Sequence, residues 1–358
     1  MIYVIIHVLK ASSSATSPVI IKQILADSHH LRPLVKKHVF FVFGDKTGYY
    51  EELVKKASLC FFQDKKSLIQ HLKTYQDYRL IVHGVPFNSI FKDFLFSGIK
   101  LKHISWINWG HGHSYSRRQL IKKYLDKYLM RKLNSIIALT KYDEYLIEKL
   151  YKSNNVHFLP YRSENIQKLF HNSLTSIKHS GRNILLGVSA GKPQRHSVGI
   201  ECLSKLTLKD ISVYAPLSYN TSDEKYIRSV IDEGHQKLGD SFYPLKALMP
   251  IDQYVDFLRN MDMIILPSLK QNGLFNVYIL LYLGKKIFVS EKSNMFISLT
   301  KLGFQLETLE TINNDSVVQD YPIEIQRMNK HIVLELFDLE KSAENLKLFY
   351  SKLCSTKK

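Results

Sequence analysis

The feature that most limits what this chain can become is an alternation. Short runs of apolar, β-branched or aromatic residues recur at 2–8, 38–43, 58–61, 79–83, 103–109, 135–139 and 156–159. Between most of them lie stretches with helical spacing, at 49–56, 67–75, 89–96, 117–133 and 141–151. Thr140, followed by Asp143, has the form of a capping-box variant opening the last of these. Strand and helix repeated in this order predict a parallel sheet with helices on both faces.

The alternation then pauses. Residues 163–182 are polar, lack a clear period and end near Gly181, which suits a linker. It restarts with strands expected at 183–189, 211–215, 241–245, 263–266 and 286–290. Helices are expected at 194–204, 222–238, 250–260 and 272–283, with Pro250 in a first helical turn. Residues 329–353 read as one or two amphipathic helices. A chain of 358 residues is also too long for one ordinary core. The expected division is a first Rossmann-like domain over 1–165, a linker over 166–182, a second such domain over 183–325, and a helical tail over 326–358. This α/β arrangement, two doubly wound domains with a cleft between them and a C-terminal helical tail, is that of GT-B glycosyltransferases. Some sugar epimerases and phosphorylases share it, so architecture does not name the reaction.

Composition narrows the classes. Hydrophobic residues make up 45% and charged residues 23%, which excludes a disordered chain. Fifty Lys and Arg against 32 Asp and Glu leave +18. That excess favours anionic partners such as nucleotide phosphates or phospholipid headgroups, although a Lys-, Ile-, Asn- and Tyr-rich codon bias also produces it. A polyanion-binding protein would explain the charge, but no nucleic-acid-binding motif is present and no nucleic-acid partner is expected. Cys60, Cys202 and Cys354 lie far apart without metal spacing, pointing to a reducing compartment. The N-terminus reads as a buried strand and not as a signal peptide. No apolar stretch approaches the roughly 18–20 residues that span a bilayer. The expected location is cytoplasmic.

In open parallel sheets ligands bind beyond the carboxyl ends of the strands. The first loop there in the second domain is Leu185-Leu-Gly-Val-Ser-Ala-Gly-Lys-Pro-Gln-Arg-His196. Gly187 and Gly191 let backbone approach a ligand, Ser189 brings a hydroxyl, and Lys192 and Arg195 bring charge beside a helix N-terminus suited to phosphate. An ordinary glycine-containing turn is the competing reading. A second loop, Pro267-Ser-Leu-Lys-Gln-Asn-Gly-Leu-Phe-Asn276, has no acid but offers Gln271, Asn272 and Asn276 around Gly273; such amides bind sugar hydroxyls, or simply form a polar turn. In the first domain His83 closes one strand. The next runs into Trp106-Ile-Asn-Trp-Gly-His-Gly-His-Ser-Tyr115, with Trp109, Gly110, His111, His113 and Tyr115 as acceptor-side candidates. The H-x-H spacing lacks an acid or cysteine to complete a metal set, so no metal is expected.

These residues resemble the family 56 glycosyltransferases, best known from N-acetylfucosamine transfer to lipid II in enterobacterial common antigen assembly. The similarity is clearest in Ile184-Leu-Leu-Gly-Val-Ser with His196, in Ala215-Pro-Leu-Ser-Tyr219 with Tyr226, in Pro250-Ile-Asp-Gln-Tyr254, Asp262 and Gln271-Asn-Gly273. In the first domain it covers His7-Val-Leu9 and the Trp109-Gly110 turn. Two departures stand out: no acid follows Trp109-Gly110, and Ser12-Ser-Ser14 stands where the family type has paired histidines. The resemblance implies a TDP- or UDP-linked sugar donor as substrate, no cofactor, and a diphosphate stabilised without metal by Gly187, Ser189 and Lys192. Tyr219 joins the donor side. It implies a lipid-linked saccharide acceptor, with His111 or His113 as candidate base and His7 behind them. A nucleotide-sugar epimerase on the same architecture is the alternative enzyme.

One helix invites a membrane reading. Residues 116–133 carry Arg117, Arg118, Lys122, Lys123, Lys127, Arg131 and Lys132 against a single acid, Asp126. Leu120, Ile121, Tyr124, Leu125, Tyr128, Leu129 and Leu133 make an apolar helical face. A core helix with a solvated basic face is one reading. Both hold together if leucines pack inward while tyrosines and the basic rim meet the anionic cytoplasmic face of an inner membrane.

Overall fold

The computed structural model describes residues 3–11, 16–31, 34–45, 48–84, 90–109, 120–160, 169–170, 174–177, 181–208, 210–218 and 223–355. The chain divides into two units, Met1–Arg162 with Leu339–Lys358, and Ser163–Asp338.

Among the described residues, the first unit holds seven strands: β1 (Tyr3–Lys10), β2 (Val35–Phe43), β3 (Ser58–Phe62), β4 (Tyr78–His83), β5 (Ile104–Asn108), β6 (Ser135–Ala138) and β7 (Val156–Phe158). They pair in the order β3-β2-β1-β4-β5-β6-β7, and every pairing is parallel. The connecting helices are α1 (Thr16–Leu31), α2 (Glu51–Lys56), α3 (Lys65–Leu72), α4 (Ile90–Phe96), α5 (Leu120–Lys132) and α6 (Lys141–Tyr151). Period-two alternation sends Ile6, Val8, Leu80 and Val82 to one face, under Leu68, Phe91 and Leu129. Ile5 and Ile81 go to the other, under Leu31. The expected cap is present: the Asp143 amide donates to Thr140 Oγ1 at 3.1 Å, and the Thr140 hydroxyl donates to the Asp143 carboxylate at 2.8 Å. Helix α1 was not expected from its mixed sequence.

The second unit has β8 (Arg182–Leu186), β9 (Ile211–Pro216), β10 (Phe242–Leu245), β11 (Met263–Leu266), β12 (Lys286–Val289) and the two-residue β13 (Glu307–Thr308). Their order is β10-β9-β8-β11-β12-β13, again parallel throughout. Its helices are α7 (His196–Ser204), α8 (Glu224–Leu238), α9 (Ile251–Arg259), α10 (Leu274–Tyr282), α11 (Asn294–Thr300), α12 (Asn314–Val318) and α13 (Ile323–Leu336). Helix α10, apolar on nearly every side, is buried from Asn276 to Tyr282. Phe170, inside the expected linker, stacks on Tyr282 at 4.4 Å and belongs to this core.

The tail expected over 326–358, read as one or two helices, holds parts of two helices that belong to different units. Helix α13 stays with the second unit, where Val333 is fully buried. The last helix, α14 (Leu339–Ser355), returns to the first unit and buries Phe349, Tyr350 and Leu353 against Tyr3, Ile5 and Ile81. Buried Arg79 fastens it, donating from Nε to the Leu353 carbonyl at 3.0 Å while its guanidinium lies 4.0 Å from the centre of the Tyr3 ring.

Candidate active site

Strand order reverses between β8 and β11 in the second unit, and the loops leaving the carboxyl ends of these neighbours are the two that the sequence marks. They meet at a cavity of about 520 Å³. Ser189 lines it from the first loop, and Asn272, Gly273, Phe275 and Asn276 from the second. Its remaining wall is largely apolar, with Pro216, Leu245, Leu248, Met249 and Ile251 from the ends of β9 and β10 and the start of α9. A concave, mostly apolar space with a few converging polar groups is the usual form of a small-molecule site.

The first loop is held by buried side chains. Gly187 has φ +69°, and a Cβ there would stand 2.7 Å from His196 Nε2. The turn Lys192–Gln194 is 3₁₀, and Arg195 leaves it in the left-handed region at φ 56°. This folds Gln194 back beneath the loop, where its Oε1 accepts from the Val188 amide at 3.2 Å and its Nε2 donates to Ser189 Oγ at 3.0 Å. His196 is fully buried, with Nδ1 3.0 Å from the Tyr226 hydroxyl and Nε2 without a partner among the described residues. Burial lowers its pKa to about 4, so the ring is neutral near pH 7.

The second loop closes over the first. Gly273 has φ +73°, and a Cβ there would meet the Val188 side chain at 2.7 Å. Asn276, buried in the first turn of α10, donates to the Tyr254 hydroxyl at 2.9 Å, and burial pushes the Tyr254 pKa up to about 12. Asn272 donates to Ser268 Oγ at 3.0 Å, and Gln271 is absent from the cavity lining.

Of the expected donor-side residues of the first loop, Ser189 lines the cavity, and Gly187, Gly191, Lys192 and Arg195 stand outside the lining. Lys192 does not line the cavity; its side chain is 71% exposed and its Nζ lies 2.7 Å from Asp223 Oδ2, because the 3₁₀ turn carries it outward. Arg195 joins the two loops instead, donating to the Pro267 carbonyl at 3.4 Å. Gly191 caps the 3₁₀ turn with φ −81° and also stands outside the lining. Tyr219 lies outside the described residues. Gln194 and, in the apolar wall, Leu245, Leu248 and Met249 are site residues that the sequence does not single out. Gln194 had no signal of its own, whereas Pro216 and Ile251 of the wall fall in the 215–219 and 250–254 segments that carry the resemblance.

In the first unit the reversal falls between β1 and β4, which carry His7 and His83. His7 Nδ1 is 3.0 Å from His83 Nε2 and its Nε2 is 2.9 Å from His38 Nδ1, so three histidines cross the sheet in one hydrogen-bonded row. Phe40 stacks on His7 at 5.0 Å, Trp109 stands edge-on to His83 and Tyr350 edge-on to His38. Burial, then the neighbouring His38 and His83, hold the His7 pKa well below its ordinary value. Burial alone lowers His38 to about 4 and His83 to about 3. His7 has no exposed surface and both its nitrogens are engaged, so it cannot meet an acceptor hydroxyl as a base. Gly110, His111, His113 and Tyr115 lie outside the described residues.

On α5, Leu129, Met130 and Asp126 face inward, while Tyr124 and Tyr128 are 70% and 50% exposed. Lys123, Arg131 and Lys132 are exposed beside them and Lys127 is half-buried; Lys132 Nζ lies 5.6 Å from the Tyr128 ring centre. Arg117 and Arg118 lie outside the described residues, as does the side chain of Lys122. Among the described residues, no helix is long and apolar enough to cross a membrane, and no group of His, Cys, Asp and Glu is arranged to hold a metal ion.

The family described as 4-alpha-L-fucosyltransferase, glycosyl transferase group 56, matches residues 2–336. Among solved structures, a glycosyltransferase from Rickettsia africae is similar at a TM-score of 0.70 and 13% identity, over 99% of this chain and 100% of that one. HepE of Anabaena, in complex with UDP and glucose, is similar at 0.63 and 10%, over 97% and 99%. A UDP-forming alpha,alpha-trehalose-phosphate synthase from Burkholderia vietnamiensis is similar at 0.61 and 12%, over 99% and 100%. At these identities the likeness shows the fold, which is GT-B.

Proposed function

The chain belongs to glycosyltransferase group 56 and is a glycosyltransferase; we propose that it moves a deoxy- or acetamido-sugar from a nucleoside-diphosphate donor to a lipid-linked glycan acceptor in bacterial surface polysaccharide assembly. The observation that carries this reading is the 520 Å³ cavity at the strand-order reversal of the second unit, with an apolar wall on one side and the first turn of α10 on the other. The apolar wall suits a nucleobase. The α10 N-terminus and the Ser189 hydroxyl suit a diphosphate, whose growing negative charge in the transition state favours fixed donors. Asn272 and Asn276 suit sugar hydroxyls. HepE, of the same fold, holds UDP, which supports a UDP- or TDP-linked donor.

The donor set is metal-free in this reading, and no cofactor takes part. His83 and Trp109 support an acceptor side in the first unit, with His111 or His113 as the base. The exposed tyrosines and lysines of α5 support attachment to the cytoplasmic face of an anionic membrane, where a lipid-linked acceptor is presented. The test is incubation with TDP- and UDP-sugars, with and without a bacterial membrane extract. Sugar recovered in the lipid fraction only when both are present is the expected result. Donor consumed without membranes and converted to its epimer would refute the transfer reading.

A further inference from the structure

We propose that Gln194 is a positioning residue that fixes the direction of the Ser189 hydroxyl, so that its proton is offered into the cavity to a phosphate oxygen of the donor. The inference rests on the donor reading of the cavity given above, and it adds how a residue outside the cavity lining governs recognition there.

The argument needs only the valences of the groups. A backbone N–H can donate and cannot accept. The Val188 amide therefore requires oxygen as its partner, and the Gln194 atom 3.2 Å from it must be Oε1. The amide cannot be flipped without opposing two donors, so Nε2 is the atom 3.0 Å from Ser189 Oγ. An NH₂ group only donates, and Ser189 Oγ is thereby an acceptor in that bond. Its own hydrogen must point elsewhere, and it finds no acceptor among the described residues. Gln194 and Ser189 are 3% and 4% exposed, so water does not compete for this arrangement from the Gln194 side, while Ser189 reaches the cavity. The backbone at Val188 thus dictates, through one amide, that the cavity wall presents a donor. A donor is what the oxygens of a diphosphate need, and a hydrogen bond to a charged group is the stronger kind.

The near-isosteric change Gln194→Glu tests this. A carboxylate still accepts from the Val188 amide, but it also accepts from Ser189, which turns the hydroxyl proton away from the cavity. Binding of TDP, UDP and the corresponding nucleosides to the purified full chain would be measured by calorimetry. We expect Gln194→Glu and Ser189→Ala each to weaken diphosphate binding roughly ten- to hundredfold, and to leave nucleoside binding unchanged. The added negative charge is separated by a cycle: in the Ser189→Ala background Gln194→Glu should cost little more. The neutral Gln194→Met removes both bonds and adds no charge. It should weaken diphosphate binding when Ser189 is present and leave it unchanged in the Ser189→Ala background. It serves as the test should the Glu variant fail to fold. Equal losses from the Gln194 changes in the Ser189 and Ser189→Ala backgrounds, or undiminished diphosphate binding by Ser189→Ala, would overturn the inference alone. A wild-type protein that binds neither diphosphate would overturn the donor reading and the inference together.

Discussion

Gly187→Ala is the sharpest probe of how the donor-side loop is built. At φ +69° an L side chain costs about 1–2 kcal/mol in the left-handed region. Its Cβ would stand 2.7 Å from His196 Nε2, inside any normal contact. His196 is fully buried between β8 and α8 and cannot swing into solvent, so it must give up its 3.0 Å bond to the Tyr226 hydroxyl, worth about 1 kcal/mol. The smaller conformational freedom of alanine in the unfolded chain returns about 0.4–1 kcal/mol. The net loss is about 1–3 kcal/mol. Both tryptophans, Trp106 and Trp109, lie in the first unit, so fluorescence follows the unfolding of that unit and serves as the comparison. Native-state hydrogen exchange at the amides of β8 and α7 reads it directly. In a His196→Ala background the contact and the lost bond disappear, and Gly187→Ala should then cost about 1 kcal/mol less. An unchanged β8, or an equal cost in both backgrounds, would refute the packing described for this loop.

Other outcomes follow from the same structure. Lys192→Ala should leave thermal unfolding unchanged, since its partner Asp223 is a surface carboxylate, and should weaken nucleoside-diphosphate binding only by a salt-sensitive, few-fold amount; calorimetry at two salt concentrations checks both. The histidine row makes the first unit acid-labile. Unfolded rings take up protons near pH 6.5, whereas folded His38 and His83 refuse them until about pH 4 and 3. Stability from these rings is therefore complete above pH 6.5 and is lost as pH falls towards 4 and below. Tryptophan fluorescence against pH should show this loss, and His38→Gln should make it shallower. Reversing Lys123 and Lys127 to Glu should reduce co-sedimentation with anionic vesicles at low salt, each basic residue contributing on the order of 1 kcal/mol at such a surface. Binding that ignores both salt and these changes would return α5 to a purely structural role.

The strands were the most legible part of the chain. Among the described residues, all but one of the thirteen strands lie where short apolar runs stand, and the exception, β13, has two residues and an ordinary polar sequence. Helix α6 could be read to the residue because Thr140 and Asp143 announce its start locally. Helix α1 could not, since serines and histidines interrupt its period and its burial comes from β2 and α14, far away in sequence. In the site, Ser189, Gly273 and Asn276 were legible because glycine and small polar residues punctuate strand ends. Gln194 was not: a glutamine becomes a clamp only when a left-handed Arg195 folds it under the loop. The outward course of Lys192 towards Asp223 was not legible either, because charge is visible in sequence and direction is not. His7, His38 and His83 are separated by 31 and 45 positions, and only the parallel register of β2, β1 and β4 puts them in a row.

The return of α14 to the first unit sets an order of events during synthesis. The ribosome completes β7 at Phe158, yet the helix that covers Tyr3, Ile5 and Ile81 begins only at Leu339. At about 5–20 residues per second, the uncovered face waits for roughly ten to forty seconds. Within that interval the whole of the second unit emerges, with all its strands and helices in one uninterrupted segment. The unit made first is thus the unit finished last. Until α14 leaves the exit tunnel, the nascent chain carries Tyr3, Ile5 and Ile81 without the cover of Phe349, Tyr350 and Leu353, an apolar patch of the kind that chaperones hold.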